Sequence, residues 1–82
     1  MNNKKIYIEV LEAVQSEGSI NAASKLIGVS FRGAHKRLEK LQKIYSEKPI
    51  IYSFNGGIKR GGTLLTSFGY EILKKLKSDE IS

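Results

Sequence analysis

Residues 18–41, GSINAASKLIGVSFRGAHKRLEKL, constrain the fold more than any other stretch, because they carry two helical periodicities separated by a glycine. Ile20, Ala23, Ser24 and Ile27 recur at the i, i+3, i+4, i+7 spacing of one buried helical face, and Ser19 stands at the N-cap position. Gly28 then supplies a left-handed stop that other residues adopt only at a cost, and Val29 behind it anchors the corner in the core. Ser30 caps the second helix. There Ala34, Leu38, Leu41 and Tyr45 share the inner face, while Arg32, Lys36, Lys40 and Lys43 share the outer one. This pattern predicts a helix-turn-helix over about 19–46 whose second helix presents a basic face.

The flanks complete a domain around it. Over about 4–17, Ile6, Val10, Ala13 and Val14 form one stripe with Tyr7 and Leu11 beside it and Glu9, Glu12 and Gln15 opposite, which predicts an amphipathic helix ended by Gly18. Pro49 stops the long second helix of the pair. Beyond it the β-formers Ile50, Ile51, Tyr52 and Phe54 and a second run, residues 63–66, flank a glycine-rich segment. They read as a two-stranded hairpin over about 50–66, placed as a wing. Thr66 or Ser67 caps a last helix over about 67–78 with Phe68, Ile72, Leu73 and Leu76 as its apolar positions, and the tail from Ser78 is expected to fray. The fold class expected is mainly α with a small β-hairpin: a three-helix core, a two-stranded wing and a C-terminal helix, in one domain spanning residues 1–82.

Charge and composition narrow the function. Residues 25–60 hold nine basic side chains against Glu39 and Glu47, whereas the remainder holds five basic against six acidic. Basic charge therefore concentrates on the second helix and the segment C-terminal to it, the electrostatic footprint of a nucleic-acid-binding face rather than a uniformly solvated surface. With no cysteine and one histidine, disulfides and thiolate or multi-histidine metal sites are excluded, and neither metal nor cofactor is expected. The glycines of residues 56–62 make no phosphate-binding loop, since no GxxxxGK[ST] run opens a helix. The apolar run Ile6-Tyr7-Ile8 breaks at Glu9, too short for a secretory core or membrane span, which points to the cytoplasm.

The run GSINAASKLIGVS, the long helix after it, the glycine-rich hairpin and the Leu65-Thr66-x-x-Gly69 motif together resemble the N-terminal DNA-binding domain of molybdate-responsive ModE-type regulators. That domain is itself related to the winged helix-turn-helix of LysR-type regulators. The resemblance spans about residues 6–77. It implies double-stranded DNA as partner, with Ser30, Phe31, Arg32, Gly33, His35 and Lys36 entering the major groove and the wing, Asn55 through Gly62, along the flanking backbone or minor groove. Where relatives often carry an arginine just before the wing, Ser53 stands here, so that contact does not carry over. No effector domain is expected within these 82 residues, and molybdate sensing does not transfer.

Each position admits a second use. Arg32 either reads guanine through O6 and N7 or holds a phosphate. His35 either meets a base edge or is a solvated helical residue, and no nucleophile or orienting carboxylate has a spacing to it that suggests catalysis. Phe31 either touches thymine methyl groups or is partly buried, and Gly33 either permits close approach of DNA or is simply tolerated. Lys59 and Arg60 have no packing role and suit phosphate or minor-groove contact. Ser19, Asn21, Arg37 and Lys40 complete the expected DNA-binding set. A homodimer is expected through Tyr7 and Leu11 of the first helix and Tyr70 and Leu73 of the last. A sequence-specific regulator of transcription is thus the leading reading, a winged-helix protein-interaction module the alternative, and an enzyme is not expected.

Overall fold

The computed structural model describes residues 3–54 and 62–81. Its elements run α1 (Asn3–Glu17), α2 (Ile20–Ile27), α3 (Phe31–Ile44), β1 (Ile51–Phe54), β2 (Gly62–Leu65) and α4 (Ser67–Ile81). The turns on either side of α2 are built as the glycines require. Gly18 and Gly28 both sit at φ +78°, in the left-handed region. At the second, the N–H of Gly28 donates to the Lys25 and Ser24 carbonyls and the N–H of Val29 donates to Ser24 O at 2.9 Å, closing the end of α2 before Ser30 starts α3.

Helices α2 and α3 each open on a serine cap. Ser19 Oγ accepts from the N–H of Ala22 at 3.0 Å, and Ser30 Oγ accepts from the N–H of Gly33 at 3.0 Å. Ile20, Ala23 and Ser24 of α2 and Ala34, Leu38 and Leu41 of α3 are buried, the stripes read from the spacing. Ser24 is a polar residue within that stripe, satisfied by donating from Oγ to Asn21 O at 2.7 Å.

Strands β1 and β2 pair antiparallel, with Ile51 opposite Leu65, Tyr52 opposite Leu64, Ser53 opposite Thr63 and Phe54 opposite Gly62. Thr63 and Leu65 face the core, while Tyr52 and Leu64 are exposed. The hairpin is pinned toward its loop end, where the N–H of Thr63 donates to Gly18 O at 2.8 Å. A Cβ on Gly62 would lie 2.8 Å from that same carbonyl and 2.9 Å from the Phe54 ring, so glycine is what lets the wing reach the α1–α2 turn.

The Leu65-Thr66-x-x-Gly69 motif acquires a mechanical explanation. Thr66 Oγ1 accepts from the N–H of Gly69 at 3.0 Å, capping α4, and donates to Pro49 O at 2.6 Å. Ile50, fully buried, projects its carbonyl at the face of α4, and a Cβ on Gly69 would collide with that oxygen. Threonine and glycine together therefore clamp the start of α4 to the segment entering the wing.

Two expectations are corrected. Helix α4 continues to Ile81 instead of fraying from Ser78, consistent with the absence of any glycine or proline between Tyr70 and Ile81 to stop it. Tyr7, Leu11 and Leu73, expected at a dimer interface, lie in the core of the single chain, with Leu11 at 0 % exposure. Helix α1 packs against α2, α3, α4 and β2, so its buried stripe is wider than an amphipathic pattern suggests. Of the four residues, Tyr70 alone is exposed. Among the described residues no helix is long and apolar enough to cross a membrane.

Candidate nucleic-acid interface

Helix α3 stands with Ala34, Leu38 and Leu41 in the core, which turns Arg32, Lys36, Lys40 and Lys43 outward. All four are exposed and Arg37 is half-buried on the flank, so the charge asymmetry of the sequence becomes a basic strip along one helix. Glu39 interrupts it, with its Oε2 3.8 Å from His35 Nδ1. Such a strip creates a positive potential over this face of the domain.

Two grooves border the strip. On the side of α1, a cavity of about 250 Å³ is lined by Ile6, Tyr7, Gly33, Lys36, Arg37 and Lys40. On the side of the wing, a cavity of about 380 Å³ lies between the starts of α2 and α3 and the loop end of the paired strands, where Ser19, Asn21, Phe31 and His35 meet Ser53 and Phe54. The fold thus brings Ser19, Asn21, Phe31 and His35 to one cleft and Gly33, Lys36, Arg37 and Lys40 to the other, with Arg32 exposed on α3. Asn55, Lys59 and Arg60 lie outside the described residues.

Several local details decide what these residues can do. Phe31, at the first position of α3, is 51 % exposed and stacks on His35 one turn later, ring centroids 6.0 Å apart at 25°. Gly33 is backed by the cap itself: a Cβ there would meet Ser30 Oγ at 3.2 Å, closer than ordinary contact, and Val29 Cβ at 3.7 Å. Ser19 and Ser30 each accept one hydrogen bond as helix caps, which leaves the hydroxyl proton and a second lone pair for other partners. Among the described residues no group of three or more His, Cys, Asp or Glu could hold a metal ion.

Two residues that the sequence did not single out belong to this architecture. Phe54 closes the wing-side cleft and stacks on Tyr52, with centroids 6.1 Å apart. Its only sequence signal is an aromatic residue directly before the glycine-rich segment. Gln42 holds the corner between α3 and β1: Nε2 donates to Tyr45 O and Lys48 O, both at 2.8 Å, and Oε1 accepts from the N–H of Ile50 at 2.9 Å. A polar residue at a half-buried helix position gave no hint of three backbone partners beyond the helix.

Three helices, a two-stranded wing and a further helix, with a basic second helix of the helix-turn-helix facing out beside the wing, define a winged helix-turn-helix domain. The chain is similar to the molybdenum transport protein ModE of Azotobacter vinelandii, 35% identical over 74 residues, which covers 90% of this chain and 27% of that protein. It is also similar to the transcriptional regulator ModE of Haemophilus influenzae, 37% identical over 67 residues, covering 82% of this chain and 26% of the relative. The chain therefore spans about a quarter of the length of these relatives. In structure it resembles a mutant of S. aureus MepR, with a TM-score of 0.65 and 22% identity over 99% of this chain and 59% of the other. It likewise resembles the protein of the S. aureus MepR–DNA complex, with a TM-score of 0.60 and 21% identity over 99% of this chain and 66% of the other. No family model matches the chain.

Proposed function

We propose that this protein is a sequence-specific double-stranded DNA-binding regulator of transcription, with α3 in the major groove and the wing against the flanking backbone or minor groove. The observation that carries the reading is the exposed face of α3, where Arg32, Lys36, Lys40 and Lys43 stand opposite a buried stripe on a fold shared with a protein solved in complex with DNA. Its likeness to ModE proteins, one of them named a transcriptional regulator, supports the same reading. Arg32 is assigned to base readout and Lys36, Arg37 and Lys40 to phosphates, with Ser19, Asn21, Ser30 and His35 at the rims and Asn55, Lys59 and Arg60 on the wing. Such a regulator works in the cytoplasm. As one recognition helix contacts few base pairs, two copies reading half-sites about 34 Å apart would supply the specificity a regulator needs.

The experiment is selection of bound duplexes from a random pool, followed by titration of the preferred duplex at several salt concentrations. Log affinity should fall linearly with log salt, at about −0.9 per phosphate neutralised. An affinity indifferent to salt, or a selection that enriches no sequence, overturns the reading.

A further inference from the structure

The basic face of α3 begins with a residue that charge cannot explain. Phe31 is a large apolar side chain, half exposed, at the helix end nearest the wing-side cleft, and it is not loose: the His35 ring stacks against it from one turn further on. Glu39 lies near His35 one turn on, its Oε2 3.8 Å from Nδ1. Helix α3 therefore presents a braced apolar surface among cations. Among the groups that base pairs present in the major groove, the bulky apolar one is the C5-methyl of thymine, where cytosine has only a C5–H. An apolar ring there has that methyl as its complement, and 5-methylcytosine carries the same group at the same place.

We propose that Phe31, positioned by His35, is a specificity determinant that reads the C5-methyl group of a pyrimidine in the major groove. The proposal rests on the DNA-binding reading above and deepens it, by naming the chemical group recognised at one end of the helix. Phe54 on the opposite wall of the cleft and Asn21 at its rim leave the outer surface of the Phe31 ring open to a base edge. Arg32, the next residue on α3, is exposed but does not line this cleft, so its readout is separate from the methyl contact.

The test uses the duplex preferred in selection, remade with each thymine replaced singly by uracil, which removes the methyl and nothing else. For the unaltered protein, uracil at one or two positions per half-site should weaken binding about four-fold, the scale of one buried methyl-sized group. At the same position a 5-methylcytosine duplex should bind more tightly than its cytosine counterpart. Phe31→Ala should abolish the difference between thymine and uracil while leaving the salt slope unchanged, and Phe31→Leu should retain part of it; circular dichroism verifies that both variants remain folded. Equal affinity for thymine and uracil at every position, with salt dependence intact, overturns this proposal and leaves the DNA-binding reading standing. So does a preferred duplex without thymine in the contacted half-site. Absence of salt-dependent binding to any duplex overturns the DNA-binding reading, and the methyl contact falls with it.

Discussion

Three glycines do three different things. Gly28 is needed for its backbone alone: with φ +78° and nothing within 4 Å of a Cβ, Gly28→Ala should cost about 1–2 kcal/mol, the strain of a left-handed non-glycine residue. Gly69 has an ordinary conformation but no room, since the Ile50 carbonyl occupies the place of a Cβ. Backbone cannot yield as a side chain can, so Gly69→Ala should cost about 2–3 kcal/mol and lower Tm by roughly 10 °C or more, the larger loss of the two in thermal unfolding. Gly33 should be the exception. Alanine there gains helix propensity of about 1 kcal/mol but sets its Cβ 3.2 Å from Ser30 Oγ, the hydroxyl that caps α3, so the two effects offset and stability should change little. If DNA affinity nevertheless falls in the Gly33→Ala variant, the glycine serves approach to DNA and not the fold. For Arg32→Ala, selection should show flattened base preference at one or two positions by roughly 1–3 kcal/mol; uniform weakening across sequences would reassign the guanidinium to a phosphate.

The elements are held in register by a few side chains with long reach. Gln42 ties the end of α3 to the entry of the wing through three hydrogen bonds to main chain. Gln42→Ala should lower stability by about 2 kcal/mol, because two part-buried backbone groups, Tyr45 O and the N–H of Ile50, lose their partners at once. Since the same corner sets the angle between recognition helix and wing, DNA affinity in that variant should fall more than loss of folded protein explains, as titration well below Tm would reveal. On the wing, Lys59→Ala with Arg60→Ala should weaken binding to all sequences about equally and make the salt slope shallower by about two contacts' worth. Elements were legible to different depths. The helices followed from apolar spacing, and their caps from Ser19, Ser30, Gly18 and Gly28, since all these are contacts within a few residues along the chain. Gln42 and the Thr66–Pro49 bond were not, because their partners come from distant elements and leave no periodic trace.

Over the whole molecule, assembly has to be sought on the surface that folding leaves free. Leu11→Lys would place an ammonium in a fully buried site and should unfold the chain, not dissociate a dimer. Tyr70 is 47 % exposed and borders a groove lined by Gln15, Lys74 and Lys77. Tyr70→Lys should therefore stay folded by circular dichroism, and sedimentation equilibrium at micromolar concentration should find dimers for the unaltered chain and monomers for this variant. A Tyr70→Lys chain that sediments as a dimer moves the interface away from α4. The sequence by itself determined the element order, the caps and the basic outer face of α3, because periodicity, left-handed glycines and local hydrogen bonds act over one or two helical turns. Only the tertiary structure decided that Tyr7, Leu11 and Leu73 are core, that Gly69 makes room for a carbonyl, and that Phe54 faces Phe31 across a cleft. A helix pattern shows which side chains share a face but not how many neighbours cover it, and α1, covered by four elements, buries more than its stripe.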